Sequence, residues 1–215
     1  MKTILIITGG TISQNMMAWV TKQQSISMII AVDKGLEVCH EFNLTPDLII
    51  GDYDTVDVAL LDKYKTKIGR VYTYPPEKDY TDTHLAISKA LEYLPEEIVI
   101  LGGTGGRMDH TIANIGLLML CASKNCRGYI IDDHNRITIT HKDVFISREL
   151  QYGKYVSLLP YGDKVVGITL EGFKYPLHDA VLHYGESVGI SNEIIEDVGY
   201  IHIKKGYLVV IESKD

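Results

Sequence analysis

The chain is poor in the features that most directly assign a protein to a class. Its 215 residues include three cysteines, Cys39, Cys121 and Cys126, an odd count with no C-x-x-C pair. That argues against a disulfide framework and for a reducing compartment, so a cytoplasmic location is expected. No apolar run approaches the roughly 20 residues of a membrane-spanning helix. The early run Ile4 to Ile7 ends at Gly9-Gly10 and is too short for a signal peptide. Basic residues are not in excess: 21 Lys and Arg face 28 Asp and Glu, giving a net charge of −7. This argues against nonspecific nucleic-acid binding, which uses a basic face. The histidines lack H-x-x-x-H or Cys/His zinc spacing. There is no internal repeat, low-complexity tract or obvious linker. No activated Ser or Cys nucleophile stands out. The glycines near position 104 are not followed by the Gly-Lys-Ser/Thr of a Walker A loop, nor do they form G-x-G-x-x-G with an acid on the next strand.

What is present is ordinary for a soluble globular protein, with 46% hydrophobic and 23% charged residues. In the first part, apolar β-branched runs (3–8, 26–32, 48–50, 70–74, 98–101) alternate with stretches of helical spacing (14–22, 35–42, 56–66, 83–94, 110–123). Such alternation predicts βαβ units and a mostly parallel sheet. The runs are apolar throughout, as when helices cover both sheet faces. After about Tyr129 short strands separated by turns are expected, at 129–131, 136–141, 155–159, 164–170, 193–198, 200–204 and 207–211. The expected fold is α/β: a Rossmann-like mostly parallel sheet with flanking helices over 1–128, then a smaller all-β sandwich over 129–215.

Ligands of parallel sheets bind at the carboxyl ends of the strands. Gly51-Asp52-Tyr53-Asp54-Thr55 follows such a run. In a strand, residues i and i+2 share a face, so Asp52 and Asp54 are expected to project together. Two adjacent like charges favour a divalent cation between them. A helix cap at Asp54 is the plainer alternative. Asp79 and Asp82 stand three apart near a predicted helix start, on one helical face, beside the cation Lys78. Helix capping explains them equally well. The segment Gly102-Gly103-Thr104-Gly105-Gly106-Arg107-Met108-Asp109-His110 is the richest. Its four glycines let backbone N–H groups approach an anion, and the next helix offers its positive end. Arg107 supplies a planar charged fork, and Asp109 can reach a metal or a substrate donor. His110 reads as a base or, more plainly, a structural hydrogen bonder. Together these clusters suggest a metal-bound polyphosphate. Ser191-Asn192 are short hydrogen bonders in the β region, and by spacing alone they are a turn.

In order along the chain, Ala31-Val32-Asp33-Lys34-Gly35, Pro46 to Thr55, Glu77-Lys78-Asp79-Tyr80-Thr81-Asp82 and Gly106-Arg107-Met108-Asp109-His110 with Asn114 resemble the bacterial thiamine pyrophosphokinase family. So do Ser157-Leu158-Leu159-Pro160, Gly172 to Leu177 and Gly189-Ile190-Ser191-Asn192-Glu193. The resemblance implies an α/β domain followed by a β-sandwich and a homodimer with sites between subunits. It implies transfer of the pyrophosphoryl group of ATP to thiamine, giving thiamine diphosphate and AMP. By position, Asp52, Asp54 and Asp82 would hold Mg2+, with Asp79 close by. Asp33, Lys78, Gly105, Gly106, Arg107, Asp109 and His110 would serve the nucleotide. Ser191 and Asn192 would contact thiamine. Four positions depart from the family pattern: Tyr53 and Thr55 replace Phe and Ser, Lys34 replaces a Gly, and His84 stands where bacterial members often carry an acid. Animal members stack a C-terminal Trp on thiamine, whereas the single Trp here is Trp19.

Two other classes use the same residues. A metal-dependent phosphohydrolase would release phosphate without an acceptor alcohol. A non-catalytic nucleotide- or thiamine-binding protein would bind without turnover, but it has no need of three carboxylate clusters.

Overall fold

The computed structural model describes the chain apart from residues 1, 24, 54, 55, 69 and 74–78, so Asp54 and Lys78 lie outside the described residues. It divides into two compact units, Met1–Asp133 and His134–Asp215.

The first unit alternates strands and helices: β1 (Thr3–Ile7), α1 (Gln14–Gln23), β2 (Ile26–Val32), α2 (Gly35–Glu41), β3 (Leu48–Gly51) and α3 (Val58–Ile68). It continues with β4 (Val71–Thr73), α4 (Asp82–Glu92), β5 (Glu97–Leu101), α5 (Met108–Ser123) and β6 (Arg127–Ile131). Neighbouring strands pair in parallel in the order β4-β3-β2-β1-β5-β6. Every residue of β1 and β5 is buried, so both faces of the sheet centre are covered. The helices supply that cover at helical spacing. In α5 the buried positions are Asn114, Leu118, Cys121 and Ala122. In α4 they are Ala86, Ile87 and Ala90, where small side chains allow a close approach to the sheet.

The second unit contains β7 (Asn135–Thr140), β8 (Val144–Ser147), β9 (Tyr155–Glu171), β10 (Leu177–His183), β11 (Asn192–Glu193), β12 (Val198–His202) and β13 (Lys205–Ser213). All its pairings are antiparallel. Strand β9 organises it. Its first half pairs with β13, and its second half with β10 and β12. Between the halves, Tyr161 to Lys164 are exposed and Gly162 has φ +107°. The pairing with β13 is irregular there, and Val156, Leu158, Ile168, Leu170, Ile201 and Leu208 are among the residues of one buried core.

Three expectations change. Tyr129–Ile131 is the last parallel strand of the first unit, not the start of the second, because β6 continues the ladder of β5. The predicted strands at 155–159 and 164–170 are one strand. Strands β8 and β10 were not anticipated, and 193–198 is strand only at its two ends, Glu193 in β11 and Val198 in β12.

Candidate active site

Parallel pairing brings the carboxyl ends of six strands to one edge. In spatial order the loops there are Asp79–Asp82 (after β4), Asp52-Tyr53 (β3), Asp33–Gly35 (β2), Thr8–Gly10 (β1), Gly102–Arg107 (β5) and Asp132-Asp133 (β6). The order of connection reverses at β1, which lies between β2 and β5, and such reversals open ligand crevices.

Glycines let these loops close on one another. A Cβ on Gly10 would stand 2.2 Å from the Gly102 carbonyl oxygen, and Gly102 itself has φ +73°. Backbone from the two sides of the crevice therefore meets where no side chain fits. Thr8 adds a hydroxyl bond to the Leu101 carbonyl at 3.1 Å. Asp33 sits in the left-handed region at φ 47°, which Asp tolerates better than most residues. Its N–H donates to the Ile50 carbonyl at 3.0 Å, tying the loops after β2 and β3. Lys34, where the family pattern has Gly, has φ −59°, so the backbone does not require glycine there.

The β5 loop is anchored at its start and open at its tip. Asn114 Nδ2, buried in α5, donates to the Gly103 carbonyl at 2.8 Å. Thr104 Oγ1 donates to Asp132 Oδ2 at 2.8 Å. Beyond them, Gly105 and Gly106 are exposed, with nothing within 4 Å of a Cβ on either. Arg107 then precedes α5 without capping it. Its guanidinium turns to Asp109 instead, with Nε–Oδ1 at 3.2 Å and Nη2–Oδ2 at 2.5 Å. That two-armed bond holds the Asp109 carboxyl down at about 2, with help from the His110 backbone N–H. His110 is exposed in the first turn of α5.

The aspartate clusters are placed differently from expectation. Strand β3 ends at Gly51, and Tyr53 has φ 62° with its hydroxyl bonded to the Tyr72 carbonyl at 2.9 Å. A left-handed residue ends strand alternation right after Asp52, and the expected pairing of Asp52 with Asp54 lies outside the described residues. Asp57 caps α3, its Oδ1 accepting the Leu60 N–H at 2.9 Å, while the capping alternative for Asp54 lies outside the described residues. Asp79 and Asp82 do not share a helical face. Thr81 is the N-cap of α4, its hydroxyl accepting the His84 N–H at 3.3 Å, so Asp79 lies outside the helix and Asp82 is its first residue. Asp79 is exposed, whereas Asp52 and Asp82 are half-buried.

Carboxylate oxygens suit a hard cation such as Mg2+. Among the described residues no three His, Cys, Asp or Glu side chains gather as a metal cage.

In the second unit Asn192 is buried and its side-chain amide is engaged. Its Oδ1 accepts N–H groups of Tyr175 at 3.0 Å and Glu193 at 2.9 Å, and its Nδ2 donates to the Tyr175 carbonyl at 2.7 Å. It holds the turn at Tyr175. Ser191 is exposed at φ 57°, with its N–H on Ser157 Oγ at 3.0 Å.

Two family models match the chain: thiamin pyrophosphokinase, catalytic domain, over residues 21–130, and thiamin pyrophosphokinase, vitamin B1 binding domain, over 141–208. A thiamine pyrophosphokinase from Bacillus subtilis is 33% identical over the whole of both chains. The chain belongs to the thiamine pyrophosphokinase family. A crystal structure of the Bacillus subtilis thiamine pyrophosphokinase superposes with TM-score 0.88, at 32% identity and full coverage of both chains. One from Geobacillus thermodenitrificans gives 0.84 at 29% identity, covering 99% of this chain and 98% of the other. Within the family frame, the catalytic-domain match takes in the loops after β2, β3, β4 and β5, and the B1-binding match takes in Ser191 and Asn192. Sequence reasoning missed Gly10, Thr104 and Asp132. The Gly9-Gly10 pair after the first apolar run was a signal for the first, but nothing local to Asp132 announces a partner 28 residues away.

Proposed function

We infer that this protein is a thiamine pyrophosphokinase, transferring the pyrophosphoryl group of ATP to the hydroxyl of thiamine and releasing AMP. The observation that carries this reading is the match of both family models, one over the acidic and glycine-rich rim and the other over the second unit.

The first unit is read as a Rossmann-like nucleotide-binding and catalytic domain, and the second as a thiamine-binding β-sandwich. Asp52, Asp54 and Asp82 are the residues to hold Mg2+, with Asp79 near them. Bound Mg2+ supplies charge neutralisation on the phosphates. The backbone N–H groups of Gly105 and Gly106 and the amino end of α5 receive phosphate oxygens. Arg107 binds them through guanidinium N–H groups beyond the two given to Asp109. Asp33, Lys78 and His110 stand with the nucleotide. Transfer of this kind depends on alignment and charge more than on covalent help. Either Asp79 or Asp109 orients the thiamine hydroxyl, and Asp109 is ionised for that task over the whole neutral range. Ser191 meets thiamine directly, while Asn192 shapes the turn beside it.

A homodimer is proposed with sites between subunits. Met108 and Ile112, four apart on α5, are 62% and 65% exposed, and an apolar pair on one helix face suits a partner. Three free cysteines suit a reducing cytoplasm, and among the described residues no helix is long and apolar enough to cross a membrane. The test is substitution. Asp52→Asn and Asp82→Asn should each lower kcat by about 100-fold or more with the fold intact, the scale for losing a preorganised charge. Turnover unchanged in both variants would refute the assignment.

A further inference from the structure

We propose that Asp132 and Asp133, at the carboxyl end of β6, are positioning residues that fasten the two loops flanking the β1/β5 crevice and so set the nucleotide loop for binding. Asp132 Oδ2 accepts the Thr104 hydroxyl at 2.8 Å, and Asp133 Oδ1 accepts the Ser13 hydroxyl at 2.5 Å. The same Ser13 oxygen accepts the Met16 N–H at 3.0 Å, so it caps α1 while tied to β6.

Adjacent aspartates after a strand are often only turn formers, bonding their own backbone one or two residues on. Here Asp132 also accepts from Thr104, 28 residues away, and Asp133 from Ser13, 120 residues away. Hydrogen bonds to a carboxylate are roughly twice as strong as neutral ones. Thr104 immediately precedes Gly105-Gly106-Arg107, whose two glycines are exposed, with nothing within 4 Å of a Cβ on either. The loop is thus held at two successive residues, Gly103 by Asn114 and Thr104 by Asp132, and then released. Glycine N–H groups bind an anion well only when their direction is fixed beforehand, because glycine has the most backbone freedom to lose. Asp132 supplies that direction without touching the nucleotide.

The inference rests on the reading of the rim as an ATP site, and the experiment separates the two. Thr104→Val keeps the shape and removes the hydroxyl. Hydrogen exchange of backbone amides at 103–107 is compared in the unmodified protein and the variant, alongside KM for ATP, KM for thiamine and kcat. Faster exchange at 103–107, a roughly tenfold rise in KM for ATP and an unchanged KM for thiamine are expected. Thr104→Ser should recover most of the loss. Asp132→Ala should match Thr104→Val, and the double variant should be no worse than either single one, since one bond is removed in each case. Unchanged exchange at 103–107 in Thr104→Val, or additive losses in the double variant, would overturn the proposal. If the unmodified protein made no thiamine diphosphate, the functional reading would fail, while the exchange comparison would still judge the clamp.

Discussion

The carboxylate of Asp33 lies so close over Gly51 that a Cβ added at Gly51 would stand 1.8 Å from Asp33 Oδ1. The loops after β2 and β3 are therefore fitted to each other at the centre of the acidic rim. Gly51→Ala should push Asp33 aside and destabilise the protein by about 1–3 kcal/mol, as overpacking does. At Gly105 an added methyl meets nothing within 4 Å. Gly105→Ala should stay within about 0.5 kcal/mol of the parent. Urea unfolding of the two variants side by side checks the contrast, and equal stabilities would contradict it.

Asp109 offers a prediction in pH. The Arg107 guanidinium holds its carboxyl at about 2, below the ordinary value of 3.8. A depressed folded value means that the pair's contribution is fully present above the ordinary value and is lost only as pH falls through about 2. Asp109 therefore stays ionised across any physiological range, and an acidic limb of activity near neutrality must come from another group. Carboxyl NMR should find its midpoint near 2, and Arg107→Gln should return it toward the ordinary range. A midpoint near 4 in the unmodified protein would contradict the pairing.

Asn192 separates a structural from a contact role. Its amide satisfies the N–H and the carbonyl of Tyr175. Removing it leaves partly buried backbone groups unpaired, at up to about 1–3 kcal/mol each. Asn192→Ala should lower the melting temperature by several degrees, whereas Ser191→Ala should leave it nearly unchanged and raise KM for thiamine. Unaltered stability in Asn192→Ala would show that the amide serves the ligand instead.

The cysteines should differ in reactivity. Burial pushes the Cys39 thiol up to about 12. Cys121 and Cys126 sit at the end of α5, where Asn125 at φ 56° lets the Cys126 N–H reach back to the Cys121 carbonyl at 3.0 Å. The hydrogen bond between their thiols lowers Cys126 and raises Cys121. Cys126 also lines a surface cavity of about 460 Å³. Maleimide at neutral pH should label Cys126 first and Cys39 last, with the fast phase absent in Cys126→Ser. Rapid labelling of Cys39 would contradict this order.

The first unit was legible because burial on both faces leaves unbroken apolar runs such as Thr3–Ile7 and Glu97–Leu101. The second unit was less so. Strand β10 is mostly exposed and carries no apolar period, and β9 runs on through the exposed Tyr161 to Lys164, which read as a turn. At the site, residue types and rim position were legible while local geometry was not. Tyr53 is left-handed, and Thr81 rather than Asp79 caps α4. Both depend on tertiary neighbours, the Tyr72 carbonyl in the first case, that a one-dimensional period does not carry.

The central claim concerns which phosphorus is attacked. In a 31P NMR time course with ATP, Mg2+ and thiamine, attack at the β-phosphorus predicts AMP and thiamine diphosphate rising together in equal amounts, with no ADP. ADP with thiamine monophosphate, or inorganic phosphate released without thiamine, would contradict it.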